Sequence, residues 1–279
     1  MGRVIKLILY YFAYNFGIGI LFMAGYAIAL QTTDLASFSS DPGYISMTML
    51  AQVLGTLAVC CHLLCWKYVK RDQLTLHFPK ANKVMLASVV LIVGMGFWTN
   101  YLTELTELPD VLKETFRKAM NDPFGIISVV IMAPLMEELL FRGAIQGYLM
   151  RKWKNPAIAI VVASLIFGVI HGNPIQIFFA FLTGLALGWI YYRTGSLLPA
   201  MLMHFINNGA SVVLFHLSGG TDETMTEALG NTGAVCLALA GAVLTVVSIW
   251  YIKNRLIPTP IVWREEPVQT EEIKSTDNI

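Results

Sequence analysis

Three charged residues, Glu137, Glu138 and Arg142, lie in the middle of an apolar stretch that runs from residue 124 to residue 150. If this stretch crosses a bilayer, each charged side chain costs about 2.5 to 3.5 kcal/mol at the membrane centre. Such residues persist only with partners or a function. A secluded carboxylate can activate a water molecule, relay a proton or bind a metal ion. The sequence therefore predicts a functional site at these positions.

Two later apolar stretches also carry polar side chains. The first contains His171, four positions after Phe167. The second contains His204 and Asn208, whose spacing places both on one face of a helix. Groups of this kind can be simple hydrogen-bonding contacts between membrane helices. Their combination with two glutamates and an arginine favours a functional site instead.

The spacing within the charged run predicts how its side chains pair. Glu138 and Arg142 are four residues apart, so their side chains can meet on one helical face and partly neutralise each other. Glu137 points about 100° away around the same helix. We therefore expect Glu137 to be free for a different partner.

The composition is that of a membrane protein. Of the 279 residues, 56% are hydrophobic and 13% are charged, and the mean hydropathy is +0.63, which is too apolar for an ordinary soluble domain. Because roughly 20 residues cross the hydrocarbon as a helix, we predict an all-α fold, a polytopic transmembrane helix bundle with about eight spans. The predicted spans are 7–30, 44–66, 84–102, 124–150, 156–171 (marginal in length), 174–192, 197–215 and 233–251.

The distribution of charge predicts the orientation of these spans. Most of the 19 Lys and Arg residues lie in the loops and ends on one side, and such residues mark the cytoplasmic side of a membrane protein. The loops on the other side are acidic. We therefore expect a multi-pass protein of the bacterial inner membrane with both termini in the cytoplasm. Apolar residues at helical spacing from Leu105 to Met120 predict a helix on the outer membrane surface.

The polar motifs resemble the signature of the CAAX protease and bacteriocin-processing family of intramembrane glutamic endopeptidases, which includes type II CAAX prenyl endopeptidases. Each part of the signature is weak alone, but three parts in order on predicted membrane helices are specific. The three parts are E-E-x-x-x-R at Glu137, Glu138 and Arg142, F-x-x-x-H at Phe167 and His171, and H-x-x-x-N at His204 and Asn208.

The resemblance implies a reaction. A water molecule activated by Glu137 and His171 would hydrolyse a peptide bond without a covalent enzyme intermediate and without a metal ion or other cofactor. His204 and Asn208 can both donate hydrogen bonds, and on the family pattern they would stabilise the oxyanion of the tetrahedral intermediate.

The resemblance also implies supporting roles and an organisation of the chain. Glu138 would mainly be the partner of Arg142, and Phe167 would pack behind His171. We expect residues 124–252 to form the catalytic membrane core. Residues 1–123 would be a variable part made of membrane helices and the outer surface helix, and residues 253–279 would be a disordered cytoplasmic tail.

The expected partners are membrane lipid and a peptide or membrane-protein substrate, and nucleic acid is not among them. Three other functions fit some of the same residues. A zinc-dependent membrane protease could use two histidines and a carboxylate, although the chain has no His-Glu-x-x-His motif. A proton-coupled transporter could use Glu137, Glu138 and His171 as a relay, although paired inverted repeats are not evident. A non-catalytic membrane partner or immunity protein could share the same fold.

The depth of each residue along its helix provides a geometric test. Glu137 lies 13 residues from either end of its predicted span and His171 lies 15 residues from the start of its own, which are depths of about 20 and 22 Å. His204 lies only seven residues from Leu197, a depth of about 10 Å. The helix of His204 is therefore tilted or preceded by a re-entrant turn near Pro199, or the site is displaced toward the cytoplasm.

Overall fold

A computed structural model of the protein describes residues 1–32, 34, 38–39, 41–221 and 223–260. Within these residues the fold is all-helical and contains no β-strand, which confirms the predicted fold class. The helices are α1 (Gly2–Ala29), α2 (Tyr44–Cys65), α3 (Ala81–Glu104), α4 (Lys113–Met120), α5 (Pro123–Trp153), α6 (Pro156–Val169), α7 (Pro174–Thr194), α8 (Leu198–Leu217) and α9 (Met225–Leu256).

Seven of these helices, all except α4 and α6, are long and apolar enough to cross a membrane. The protein is therefore an integral, multi-pass membrane protein. Helix α6 corresponds to the fifth predicted span, 156–171, and its 14 residues extend only about 21 Å. That length is less than the roughly 30 Å of bilayer hydrocarbon. Helix α6 is therefore too short to cross the bilayer by itself, and it ends just before His171.

Local sequence signals explain where the central helices begin. Asp122 precedes Pro123, and its Oδ1 accepts the N–H of Gly125 at 3.0 Å. Asn155 precedes Pro156 in the same way and accepts the N–H of Ile158 at 3.2 Å. A capping side chain followed by proline fits the first turn of a helix, because proline lacks only an N–H that would be unpaired there.

The outer surface helix begins later than predicted. The sequence pattern placed it from Leu105 to Met120, whereas α4 starts at Lys113. Pro109 explains the difference, because it has no N–H to donate and disfavours helical geometry at the preceding Leu108.

The prediction of a disordered tail from residue 253 is wrong for its first residues. Residues 253–256 form the last turn of α9, and Leu256 and the following Ile257 are buried against the core. These apolar side chains explain why the chain stays attached to the bundle there. The rest of the predicted tail, residues 261–279, lies outside the described residues.

Helix α5 is not a regular α-helix. Two of its segments, Ser128–Met132 and Glu138–Gln146, have π-helical hydrogen bonding. Pro134 explains the first, since a proline inside a helix removes one hydrogen bond and clashes with the carbonyl four residues earlier. The second segment contains no proline. It begins at Glu138 and includes Arg142, and π-helical turns are frequent at functional sites.

Small residues allow two pairs of helices to approach closely. A Cβ atom at Gly184 of α7 would lie 3.0 Å from the Cβ atom of Ser164 in α6. Helices α3 and α9 cross even more tightly, because a Cβ atom at Gly94 would lie 2.9 Å from the carbonyl oxygen of Gly241. Contacts of this kind are how small residues stabilise helix pairs in membranes.

The predicted variable part and the predicted catalytic part share one core. Val4 and Leu7 of α1 and Leu63 of α2 belong to the same buried cluster as Met136 of α5 and Phe167 of α6. Residues upstream of position 124 therefore help to hold the central helices in place.

The α3–α9 crossing can be tested with a pair of glycine substitutions. We predict that Gly94→Ala lowers the free energy of unfolding by about 1 to 3 kcal/mol, because the new methyl group meets backbone atoms that cannot move aside. Gly96→Ala is the matched control, since a Cβ atom there has nothing within 4 Å. It should leave stability unchanged or raise it slightly. Thermal unfolding in detergent micelles measures the stability of both variants. Equal effects of the two substitutions would contradict a close α3–α9 contact at Gly94.

Candidate active site

Glu138 is the central residue of the site. Its side chain is fully buried, and its Oε1 accepts one hydrogen bond from Nη1 of Arg142 at 2.8 Å and another from Nδ1 of His204 at 2.8 Å. Arg142 is also buried, with 1% of its side chain exposed. The ion pair between Glu138 and Arg142 is therefore the one that their four-residue spacing predicts. His204 of α8 is the third member of this hydrogen-bonded group.

His204 lies between the two glutamates. While Nδ1 bonds to Glu138, Nε2 lies 3.6 Å from Oε2 of Glu137. Glu137 thus has a partner other than Arg142, as its position on the helix predicted, but this partner is shared, because one imidazole contacts both carboxylates through its opposite nitrogens. Since Oε1 of Glu138 already accepts a guanidinium N–H, we infer that Nδ1 of His204 carries the proton of their bond.

The two glutamates have different surroundings. Glu138 is completely buried, whereas 14% of the Glu137 side chain is exposed. Glu138 makes two short charge-assisted hydrogen bonds, and Glu137 only the longer approach to His204. A carboxylate that is already doubly bonded is poorly placed to react, so Glu137 is the more available of the two.

Phe167 connects the charged group to His171. Its ring packs edge-on against the rings of His171 and His204, with centroids 5.0 and 5.7 Å apart. The guanidinium of Arg142 lies 4.2 Å from the centroid of the same ring, within the range of a cation–π contact. The prediction that Phe167 packs behind His171 matches this contact, but the ring also touches His204 and Arg142.

His171 follows the end of α6 in a tight turn. Its Nδ1 bonds to the backbone carbonyl of Phe167 at 2.8 Å. A carbonyl oxygen only accepts, so Nδ1 is the donor and neutral His171 has a free lone pair on Nε2. The next residue, Gly172, has a φ of +65°, a conformation that favours glycine. The turn therefore fixes His171 as a proton acceptor at Nε2.

Asn208 lies one turn after His204 on α8. Its Nδ2 donates to the backbone carbonyl of Val129 at 2.9 Å, within the first π-helical segment of α5. Asn207 in turn donates to Oδ1 of Asn208 at 3.2 Å, which orients that amide. A side chain from a neighbouring helix commonly satisfies backbone groups freed by an irregular membrane helix.

The packing of α8 against α5 accounts for the difference in depth. Leu197, just before α8, packs against Gly143 of α5, as does Val69 of the α2–α3 connection. Glu137 lies six residues from Gly143, about 9 Å, and His204 lies seven residues from Leu197, about 10 Å. Helix α8 thus starts inside the bundle, and its histidine reaches the level of the glutamates.

Sequence reasoning missed one polar contact beside the site. Asn173, two residues after His171, is fully buried; it donates to Asp110 at 2.7 Å and accepts the N–H of Val111 at 3.0 Å. These bonds attach the α3–α4 connection to the turn of His171. The only sequence signal was the Asn-Pro pair at the start of α7, which is typical of helix starts generally.

The carboxylate and imidazole groups of the site are of the types that bind metal ions. Among the described residues, no group of three or more His, Cys, Asp or Glu side chains is arranged to hold a metal ion. Glu137, Glu138 and His204 are instead joined to one another and to Arg142 by hydrogen bonds and ionic contacts.

Comparison with known proteins agrees with the motifs. Residues 119–210 match the family model described as type II CAAX prenyl endopeptidase Rce1-like, which confirms the resemblance found in the sequence. No curated protein and no solved structure matches the chain. The family match supports a membrane endopeptidase of the CAAX type, with a lipid environment and a peptide or protein substrate.

The buried ion pair can be tested through stability. We predict that Arg142→Leu lowers the free energy of unfolding by about 3 to 5 kcal/mol, because it leaves the carboxylate of Glu138 buried without its cation. The double variant Glu138→Gln with Arg142→Gln is the control, since it removes both charges and keeps groups that can hydrogen-bond. It should be clearly more stable than Arg142→Leu in detergent unfolding measurements. If Arg142→Leu is as stable as the wild-type protein, the buried ion pair between Glu138 and Arg142 is contradicted.

Proposed function

We propose that this protein is an intramembrane, metal-independent glutamic endopeptidase that cleaves a peptide bond of a membrane-associated protein or peptide. The observation that carries the proposal is the unequal setting of the two glutamates around His204. Glu138 is buried and bonded twice, while Glu137 is partly exposed and bonded weakly. The family match over residues 119–210 supports the same reaction class.

In the proposed reaction Glu137 is the general base. Its carboxylate takes a proton from a water molecule, and the hydroxide adds to the carbonyl carbon of the scissile bond. The proton then passes to the amide nitrogen as the carbon–nitrogen bond breaks, which leaves a new carboxylate and a new amine. A positioned base of this kind contributes about 10² to 10⁴ to a rate.

His171 is proposed to hold the same water molecule. Its Nδ1 is engaged by the carbonyl of Phe167, so Nε2 is the nitrogen that accepts a hydrogen bond from water. The edge-on contact with Phe167 keeps the ring in this orientation. The proposal thus uses His171 to orient the water and Glu137 to deprotonate it.

His204 and Asn208 are proposed to stabilise the negative oxygen of the tetrahedral intermediate. A doubly protonated His204 donates to Glu138 from Nδ1 and retains an Nε2–H on the side of Glu137. The amide of Asn208 uses one hydrogen for the carbonyl of Val129 and has a second. Preorganised donors of this kind contribute about 2.7 to 4 kcal/mol each to transition-state stabilisation.

The orientation in the membrane and the substrate class belong to the same proposal. We place the basic ends of the helices and both termini in the cytoplasm, because Lys and Arg residues collect there. The matching family model is described by its action on prenylated CAAX sequences. For this chain we propose a membrane-associated peptide substrate, with prenylated and unprenylated forms as the two cases to compare.

Replacing Glu137 with glutamine, which has the same shape but cannot act as a base, tests its role. Glu137→Gln should reduce peptide cleavage by at least about 10² and leave unfolding nearly unchanged, because this side chain is partly exposed. Proteomic comparison of termini in membranes that contain wild-type or variant protein measures the loss. The control is Glu107→Gln in the exposed α3–α4 connection, which should cleave normally. Full cleavage by Glu137→Gln would contradict the proposal.

A chelator separates this reaction from that of a zinc protease. We predict that purified protein treated with 1,10-phenanthroline, then freed of it, retains its cleavage rate. The physical reason is that the base and the donors named above are all protein side chains. If the chelator abolishes cleavage and added Zn²⁺ restores it, the metal-independent mechanism is wrong.

A further inference from the structure

A second group of charged and aromatic side chains lies far from the site, at the end of the bundle where α1 begins. We call it the cation–aromatic cluster and define it by three basic and two aromatic residues from three parts of the chain. Its members are Arg3, Lys6, Tyr68, Tyr148 and Lys152.

Arg3 lies between two tyrosine rings. Its guanidinium carbon is 5.1 Å from the centroid of the Tyr68 ring and 5.1 Å from that of Tyr148. Its Nε is buried, and among the described residues it has no hydrogen-bond partner. A cation–π contact involves the ring face and no hydrogen-bond acceptor, so it leaves the N–H donors of the guanidinium for an acceptor.

The positive charges of the cluster have no acidic partner in the part of the chain that the structure describes. Lys6 lies over the ring of Tyr10 at 5.4 Å, and Lys152 over that of Tyr148 at 5.8 Å. The segments 1–33, 42–71 and 139–221, which contain the whole cluster, include no Asp or Glu. Within the described part of the chain, no carboxylate forms an ion pair with Arg3, Lys6 or Lys152. Within the described ranges, three cations therefore lie together without an acidic side chain beside them.

His62 provides an independent observation beside the cluster. It is only 7% exposed, and its ring stacks on Trp66 with centroids 4.5 Å apart. Its Nδ1 pairs with the hydroxyl of Tyr14 at 3.1 Å, while its buried Nε2 has no hydrogen-bond partner among the described residues. Its ring also stacks on that of Tyr68, with centroids 5.7 Å apart. Since buried polar atoms in membrane proteins are normally bonded, this nitrogen is an unusual unpartnered acceptor or donor next to the cluster.

The position of the cluster identifies the partner. It lies at the ends of membrane-spanning helices, at the level of lipid headgroups. Helix α1 presents Ile5, Leu9, Phe12 and Phe16 as exposed side chains at three- and four-residue spacing, which is an apolar stripe along one helical face. This stripe lies roughly 150° around the helix from Arg3. It shows that α1 faces lipid, so lipid headgroups lie next to the cluster.

We propose that the cation–aromatic cluster binds the phosphate of an anionic phospholipid of the surrounding bilayer. Arg3 donates two in-plane N–H groups to the phosphate oxygens, a geometry that guanidinium and phosphate share. Lys6 and Lys152 add point charges at the rim. Basic pockets between membrane helices bind anionic headgroups by the same chemistry.

The experiment titrates the full-length protein in detergent micelles with palmitoyl-oleoyl phosphatidylglycerol and counts bound lipids by native mass spectrometry. Phosphatidylcholine of the same acyl composition is the control for headgroup charge. We expect one phosphatidylglycerol to bind well before phosphatidylcholine does. Arg3→Gln and, on the exposed rim, Lys152→Gln should each weaken that binding about fivefold. Lys83→Gln removes a charge at the same end of the bundle but outside the cluster and should have no effect.

Three outcomes would overturn the proposal. Equal binding of the two lipids would show that headgroup charge is not recognised. An equal loss in Lys83→Gln and Lys152→Gln would show diffuse attraction to a basic surface. Displacement of the lipid by millimolar glycerol 3-phosphate would show that the cluster takes a free phosphate, without need for the acyl chains. Because Lys152 is exposed, its substitution keeps the test valid even if Arg3→Gln fails to fold.

Discussion

The packing of the central helices depends on the burial of one carboxylate, that of Glu138. Glu138 is completely withdrawn from solvent inside a bundle of apolar helices, where an unpaired charge costs several kcal/mol. Two hydrogen bonds to one of its oxygens, from Arg142 and His204, compensate that cost. Arg142 also approaches the carbonyl of Gly184 at 3.4 Å and the ring of Phe167. The hydrogen bonds and contacts of this buried ion pair thus connect α5, α6, α7 and α8.

The same constraint separates the two glutamates, although they are adjacent in the chain. Glu138 is held by its partners, while Glu137 lies across the imidazole of His204 and keeps partial exposure. Two identical side chains in different surroundings can take different roles, one structural and one chemical. In the proposed mechanism, the geometry of the general base Glu137 therefore depends on Glu138.

Much of the fold and the membership of the site follow from the sequence, while their exact geometry does not. Hydropathy predicted the helices, and four-residue spacing predicted the contact of Glu138 with Arg142. The π-helical segment from Glu138 to Gln146 has no proline or other local signal in the sequence. It is accompanied by contacts with α7, such as the hydrogen bond from Gln146 Nε2 to the carbonyl of Gly188 at 2.8 Å, and sequence spacing does not predict such contacts. Similarly, only tertiary packing shows that α8 starts inside the bundle at the level of Gly143.

Nitrogen NMR of protein labelled with ¹⁵N-histidine tests the central interaction most directly. The signals of His204 are assigned by their absence in His204→Gln. We predict that Nδ1 of His204 is protonated and that its signal shifts in Glu138→Gln, because that proton lies in the bond to the carboxylate. A His204 protonated only at Nε2, or one insensitive to Glu138→Gln, would contradict the arrangement on which the proposed chemistry depends.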